Sequence, residues 1–561
     1  MIIIGISFSH NGSVCLLKDG KVIVAIQAER LTRVKRQALD LDKNQTALNL
    51  CLDYCLSYSK VKIEDIDYIT FSTPWALKDL KEKCIEWING ISPKKRISVK
   101  SVSHHLAHAE YIIHYGNNES GTVCVIDGSG SYGNEIKKND YNDLEDIYKN
   151  NDNHKLDYTK ETVSIYKYKQ NKLSTKFKAL SSNTKVIDFT DNIRSYFHSI
   201  GHIWEIVSNL IFQNGNQAGK VMGLIGFNKE KIKNKFLEFD KDHKPIINVD
   251  FLNTEIKKIK AKKNKPTDIS FLADIIQKDT NDYVISLINK FISEKDKAIY
   301  LSGGVMLNIK LNTEIAKNFP NKKIIINGST EDNGTSIGAA SAIFRKLQKR
   351  NITENPTDYY GKKYTYEEVE KSLIEKELNF KVLNNDDLSE FIANEIVNSK
   401  VIMLSYGRSE FGPRALGHRS ILANAFDPLT KSKLDTEIKL REPYRPYAPI
   451  VLENDYEKYF DLKFKSPFML FDSKVLNNKL PAITHVDGTS RPQTVNRDNG
   501  IVYDILLKIK KIKGIPVCLN TSLNRPGEPI CEKPDDAINY ALNSEADYLV
   551  IENFLVNLSK N

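Results

Sequence analysis

The chain opens with Ile2-Ile3-Ile4-Gly5-Ile6-Ser7-Phe8, breaks at Ser9-His10-Asn11-Gly12, resumes as Ser13-Val14-Cys15-Leu16-Leu17, turns at Asp19-Gly20 and continues from Val22 to Ala28. Short apolar runs separated by turn residues predict strands rather than helix. An Asp-Gly pair between two such runs is a strong hairpin signal, because both residues tolerate positive φ. The same grammar returns at Val123-Cys124-Val125-Ile126, which runs into Asp127-Gly128-Ser129-Gly130. It returns again at Ile299-Tyr300-Leu301 before Ser302-Gly303-Gly304, and at Ile324-Ile325-Ile326 before Gly328 to Gly334. Each strand-loop unit is followed by a helical pattern, which predicts an internally duplicated α/β body.

Working outward, residues 351–364, with Asn351, Asn355, Pro356 and Gly361, lack periodicity and read as a linker. It separates a first domain at 1–350 from a second at 365–561. The length, 561 residues, corresponds to roughly three to four domain equivalents. Apolar residues make up 41% and charged residues 27%, which excludes collagen-like, coiled-coil and low-complexity classes. The longest apolar runs fall far short of the ~20 residues of a membrane span, so no membrane is expected as a partner. With no basic segment and no long apolar region at the start, a secretory signal is not expected, and a cytoplasmic location is.

Seven cysteines without a Cys-x-x-Cys pair suggest neither a disulfide framework nor a thiolate zinc site, and Cys51 and Cys55 fit one core-facing helix stripe. Lys and Arg total 81 against 71 acidic residues, a net +10 that is modest for this length. The polar stretch at 134–160 and the lysines at 228–267 read as solvated surface, and no aromatic-basic interleaving marks a nucleic-acid platform.

Four of the eleven histidines fall between 104 and 114. On a helix, His104 and His108 share a face one turn apart, so both imidazoles can reach one ion; two helical histidines can also simply cap or pack. The strand-end carboxylates Asp127 and Asp332 would complete a His₂Asp₂ shell suited to iron, manganese or zinc. His10, in the first strand-end loop, can take a proton from a substrate hydroxyl or can be an ordinary loop residue. In the second domain Arg408, Arg414, Arg419, Lys439, Arg441, Arg445, Arg491 and Arg525 punctuate segments crowded with Gly and Pro. Guanidinium forks in such loops suit a phosphate-bearing ligand. Ser522 and Asn524 add short hydrogen-bonding groups, or form an Asx or Ser turn.

Taken together, Ser9-His10-Asn11-Gly12-Ser13, His104-His105-Leu106-Ala107-His108-Ala109, Val125-Ile126-Asp127-Gly128, Leu301-Ser302-Gly303-Gly304, Phe411-Gly412-Pro413-Arg414-Ala415-Leu416-Gly417-His418-Arg419-Ser420, Lys439-Leu440-Arg441, Ser466-Pro467-Phe468-Met469 and Asn520-Thr521-Ser522-Leu523-Asn524 resemble one family. It is that of the carbamoyltransferases that include the tobramycin and nodulation-factor enzymes, and the resemblance spans essentially the whole chain.

The resemblance implies an N-terminal actin-like, ATPase-type domain similar to tRNA threonylcarbamoyl transferases and a C-terminal YrdC-like α/β domain. It implies ATP and carbamoyl phosphate as substrates, joined into carbamoyladenylate at the second domain. The first domain then passes the carbamoyl group to a hydroxyl of a small sugar or natural-product acceptor, and AMP leaves. Fe²⁺ or another divalent transition metal would fall on His104, His108, Asp127 and Asp332, the base on His10, and Mg²⁺ would accompany ATP. Lys439, Arg491, Ser522 and Met469, with Arg441 and Asn524, would line the adenylate-forming site, and Ser302-Gly303-Gly304 would touch nucleotide. A second copy of the chain is a candidate partner, giving a homodimer. Three residues depart from the family pattern: Asn11-Gly12 stands where relatives often carry Asp-Ala, and Leu523 where Phe is usual. Two other readings compete: a small-molecule kinase of the same fold, and an RNA-binding or tRNA-modifying protein.

Overall fold

A computed structural model of the chain describes residues 1–43, 45–76, 79–139, 153–187, 192–228, 235–260, 265–352 and 357–558. Much of the polar stretch 134–160, together with Lys229, Lys231, Lys233, Lys262 and Lys263 of the lysine-dense stretch, lies outside these. The chain folds into two compact units, one of Met1–Ala28 with Gln37–Thr357, the other of Glu29–Arg36 with Asp358–Asn561.

In the first unit, β1 (Ile2–Ser7), β2 (Ser13–Lys18), β3 (Lys21–Gln27), β4 (Tyr68–Ser72) and β5 (Ser98–Ser101) form a five-stranded sheet of order β3-β2-β1-β4-β5. The first three strands are antiparallel, and β4 and β5 run parallel to β1. Asp19 and Gly20 close the β2–β3 hairpin with φ of 51° and 84°, the left-handed pair that the Asp-Gly signal predicts. A second sheet comprises β6 (Gly121–Ile126), β7 (Lys160–Lys169), β8 (Lys172–Ser181), β9 (Ala298–Ser302) and β10 (Lys323–Ile325). Its order is β8-β7-β6-β9-β10, again with an antiparallel trio and then two parallel strands. The two sheets therefore repeat one topology, and the duplication read from the strand-loop units is present.

Helix α1 (Gln45–Ser59) buries Cys51 and Cys55 on one face. Two further helices place the site: α2 (His104–Ile112) and α3 (Gly334–Gln348). They meet closely because Gly338 lies against the Ala107 carbonyl, where an added Cβ would stand 1.8 Å from the oxygen. On its other flank α3 meets β1, where a Cβ on Gly5 would stand 2.0 Å from the Ser336 carbonyl. Arg345 of α3 and Glu110 of α2, both buried, are bound as an ion pair that includes Nε to Oε2 at 2.9 Å.

The second unit is built on an eight-stranded mixed sheet. Its strands are β11 (Phe380–Val382), β12 (Ile402–Ser405), β13 (Arg419–Ala423), β14 (Ala448–Leu452), β15 (Gln493–Val495), β16 (Val517–Ser522), β17 (Tyr548–Ile551) and β18 (Phe554–Asn557), ordered β11-β18-β17-β12-β13-β16-β14-β15. Helices α4 (Asn385–Val397) and α5 (Ile501–Lys513) pack on each other. Glu29–Arg36 belongs here by its contacts: Arg30 donates to the Gly412 carbonyl at 2.6 Å, and Arg33 to those of Pro529 and Ile530 at 2.8 Å each. Nothing in the local sequence of that segment announces partners 382 to 497 positions away. Both units alternate helix and sheet, so the fold class is α/β.

Candidate active site

The site of the first unit is assembled at the C-terminal ends of parallel strands, where open α/β sheets present ligands. Helix α2 supplies His104 and His108 from one face, Asp127 directly follows β6, and Asp332 precedes α3. All four are buried, and one ligand atom from each lies within 4.8 Å of the others. The chain thus brings together the four residues that the sequence reading singled out.

The helix start is fixed from below. The first N–H groups of an α-helix have no intrahelical acceptor. Here the His104 N–H donates to Ser131 Oγ at 3.0 Å and the His105 N–H to Glu161 Oε1 at 3.0 Å, and the same Glu161 oxygen accepts the Ser131 N–H at 3.1 Å. Glu161 is itself buried, and its second oxygen accepts from the buried Lys178 ammonium at 2.6 Å. Sequence reasoning missed Glu161, Lys178 and Ser131. The available signal was weak: an acidic and a basic residue at inward positions of neighbouring strands.

Each ligand imidazole is oriented through Nδ1, which stands 3.4 Å from Ser72 Oγ in His104 and 3.3 Å from Ser302 Oγ in His108. Their Nε2 atoms face the carboxylates: His104 at 3.4 Å from both Asp127 Oδ2 and Asp332 Oδ1, His108 at 3.6 Å from Asp332 Oδ1. These separations are long for hydrogen bonds, and both buried Nε2 atoms lack a hydrogen-bond partner. Burial alone would depress the His104 imidazole, but the charges of Asp332 and Asp127 outweigh it and raise it to about 10. Burial likewise opposes ionisation of Asp332, yet His104 and His10 hold its carboxyl well below the usual range. Two orphaned imidazole nitrogens converging on two ionised carboxylates fit a divalent transition ion, and the N₂O₂ set suits iron, manganese or zinc alike.

His10 lies at the rim. Its Nδ1 is 3.4 Å from Asp332 Oδ2, the oxygen that His104 and His108 do not use, and its side chain is 55% exposed. Its loop is held by Asn11, whose amide donates to Glu331 Oε2 at 2.8 Å. Gly12 has no room for a side chain, since a Cβ there would meet Leu39 at 2.5 Å. The Ser302-Gly303-Gly304 loop touches the ligands themselves: Ser302 orients His108, and the Gly304 N–H donates to Asp127 Oδ1 at 3.1 Å. Gly303, at φ 99°, passes so near β6 that a Cβ would stand 2.2 Å from the Ile126 carbonyl.

In the second unit Lys439 follows a single π-helical turn, Leu434–Ile438, of the kind that recurs at functional sites. Its ammonium donates to the carbonyls of Ser522 and Asn524 at 2.7 and 2.6 Å and to Asn524 Oδ1 at 3.1 Å, and the Ser522 hydroxyl bonds Asn524 Oδ1. All three Lys439 donors are engaged, so it clamps the Ser-x-Asn turn. Burial, then the nearby Arg441, depress its ammonium well below the usual range. Arg441 is anchored on Asp435 at 3.1 Å with its guanidinium 3.6 Å above the Tyr447 ring. Arg491 carries a buried Nε without a hydrogen-bond partner. Burial, then the like charges of Arg414, Arg441 and Arg445, hold its guanidinium well below the usual range. Such a set of mutually repelling cations has the electrostatics of an anion-binding pocket. Met469 is buried with a left-handed backbone, φ 55°, and makes no hydrogen bond to this group among the described residues.

The two units are thus both α/β; one carries a buried cluster of two histidines and two aspartates and the other a cluster of arginines about Arg491. Residues 2–341 match the model of the carbamoyltransferase N-terminus and residues 393–558 that of the carbamoyltransferase C-terminus. The chain is 31% identical to an uncharacterized protein of Methanocaldococcus jannaschii over 100% of both chains. It is 27% identical to the nodulation protein NolNO of Sinorhizobium fredii over 98% of this chain and 79% of that one. It is 33% identical to the 3'-hydroxymethylcephem-O-carbamoyltransferase of Amycolatopsis lactamdurans over 43% of this chain and 45% of that one. The chain belongs to the carbamoyltransferase family and is an enzyme. No helix among its described residues is long and apolar enough to cross a membrane.

Proposed function

We propose that the chain is an ATP-dependent O-carbamoyltransferase with two sites. The second unit, read as YrdC-like, uses one water to split carbamoyl phosphate into carbamate and phosphate, and the carbamate oxygen then displaces pyrophosphate from the α-phosphorus of ATP to give carbamoyladenylate. The first, read as actin-like, transfers the carbamoyl group to a hydroxyl of a small-molecule acceptor, releasing AMP. The observation that carries this reading is the convergence of four buried ligand groups beside the half-exposed His10.

A carbamoyl carbon is a poor electrophile because nitrogen donates into it, and a mixed anhydride with AMP supplies a leaving group of low basicity. The difficulty is to bring two polyanions together. Arg414, Arg441, Arg445 and Arg491 oppose that repulsion, which in a low-dielectric pocket amounts to several kcal/mol. Lys439 keeps the Ser522–Asn524 turn in place beside them. Mg²⁺ would accompany ATP there.

In the first unit His104, His108, Asp127 and Asp332 would hold Fe²⁺ or another divalent ion. When bound, such an ion supplies Lewis acidity and a fixed positive charge for carbamoyl or phosphate oxygen. Asp332 Oδ2 faces His10 Nδ1 and favours the tautomer with the proton there. The Nε2 lone pair then takes the acceptor hydroxyl proton as its oxygen attacks. The test is incubation with ATP, carbamoyl phosphate and a panel of hydroxyl compounds. AMP and pyrophosphate that depend on carbamoyl phosphate, and an acceptor heavier by one carbamoyl group, support the reading; ADP and a phosphorylated product identify a kinase.

A further inference from the structure

Arg441 and Arg445 lie in the segment that leads into β14, Arg491 lies in the one that leads into β15, and these two strands pair in parallel. The charge of Arg441 acts on Arg445, and both act on Arg491. Like charges so placed push their two segments apart, so a contact between the segments must oppose them when no anion is bound. A bridge of three residues does so. Asp487 Oδ1 lies 3.1 Å from His485 Nδ1, and His485 Nε2 lies 3.2 Å from the Tyr444 carbonyl oxygen. That carbonyl shares a peptide unit with the Arg445 N–H, which donates to the Glu442 carbonyl at 3.1 Å. The unit is thereby held at both polar ends, directly before the Arg445 side chain. The Arg441 guanidinium in turn donates to the carbonyls of Arg445 and Pro446 at 3.3 and 3.1 Å. We propose that His485 and Asp487 are positioning residues of the second unit's site, strapping the Arg491 segment to the Arg441–Arg445 segment so that three mutually repelling guanidinium groups stay together for a polyphosphate anion. The inference rests on the adenylate-forming reaction proposed above and says what keeps its cations in place.

The bridge is directional. An ionised carboxylate and a backbone carbonyl can only accept, so the ring makes both bonds when each of its nitrogens carries a proton. Asp487 is itself fixed, because its Oδ1 also accepts from the Thr489 N–H at 3.0 Å and from the Thr489 hydroxyl at 2.6 Å. The backbone of His485 is fixed as well: its N–H donates to the Thr489 carbonyl, and its carbonyl accepts from the Gly488 N–H, each at 2.9 Å. Gly488 closes this turn with a left-handed φ of 75°, which a residue with a side chain rarely adopts. The His485 side chain is only 7% exposed, so water competes little for either bond. Arg491 follows Thr489 by two positions, so the turn that anchors the bridge also sets where the Arg491 side chain starts.

Two substitutions separate the bridge from the bulk of the ring. His485→Gln puts an amide N–H where Nε2 stood and keeps the donor to the Tyr444 carbonyl, whereas His485→Asn ends at the level of Nδ1 and loses it. Inorganic pyrophosphate is titrated into the full chain by calorimetry, with Arg491→Ala as the blank that defines binding at this pocket. His485→Asn should bind pyrophosphate about tenfold more weakly, and its KM for ATP should rise by a similar factor with kcat changed less. His485→Gln should stay within about threefold of the unmodified chain in both measurements. Equal weakening by the two substitutions assigns the ring to packing alone and overturns the proposal. Undiminished binding by His485→Asn overturns it too, as does an absence of Arg491-dependent pyrophosphate binding. Pyrophosphate release from ATP is measured in parallel with and without carbamoyl phosphate. Its failure to depend on carbamoyl phosphate, alongside the expected difference in binding, removes the carbamoyladenylate reading and leaves the strap, whereas carbamoyl-phosphate-dependent release with equal binding removes the strap alone.

Discussion

At the scale of single residues, the site turns on the ionisation of the imidazoles and carboxylates that meet in it. His104 is raised to about 10 by Asp332 and Asp127 against the opposing effect of burial. A raised folded pKa contributes stability that is fully present below the ordinary histidine range and is lost as pH rises through the folded value. The metal-free chain should therefore lose thermal stability between about pH 6.5 and 10, and His104→Gln should flatten that slope, as read by Tm at stepped pH. Metal competes with the same proton, so affinity for Fe²⁺, Mn²⁺ or Zn²⁺ should rise over the same window. His108→Ala should reduce bound metal to background by elemental analysis and abolish carbamoyl transfer, with pyrophosphate release retained. These residues were visible in the sequence because i, i+4 spacing and strand-end aspartates are local patterns. Lys439 was visible as a cation, but its role was not: spacing cannot tell an ammonium facing an anion from one whose three donors meet Ser522 and Asn524.

At the scale of elements, the centre depends on how closely α2 and α3 approach and on what satisfies the start of α2. Gly338→Ala would force the helices apart at the Ala107 carbonyl and should cost about 1–3 kcal/mol in urea unfolding, with weakened metal binding. Glu161→Ala strips the buried partner from Lys178 and the acceptor from two N–H groups, and should destabilise the chain by about 3–5 kcal/mol. Adding Lys178→Met should recover part of that loss, because the uncompensated charge goes with it. Neither device was legible beforehand. Gly338 sits in an ordinary small-residue helix stretch, and Glu161 and Lys178 are adjacent only once β7 and β8 pair. The hairpin at Asp19-Gly20 and the glycine loops after β6 and β9 were legible, because there a backbone requirement selects the residue type directly.

At the scale of the whole molecule, the central claim is that chemistry is divided between two units, the anhydride made in one and used in the other. The duplicated strand-loop grammar announced the repeated topology of the first unit, whereas the assignment of Glu29–Arg36 to the second followed from contacts that no local pattern encodes. If the division holds, the two half-reactions are separable by mutation. Arg491→Ala removes a cation from the pocket of the second unit, and His10→Asn removes the base at the rim of the first. The most direct test supplies purified carbamoyladenylate to both variants with a known acceptor and follows carbamoylated product. The account predicts that the intermediate restores product formation to Arg491→Ala but not to His10→Asn, which should still release pyrophosphate from ATP and carbamoyl phosphate. Equal rescue of both variants, or rescue of neither while the unmodified enzyme uses the supplied intermediate, would contradict the division and leave a single composite site.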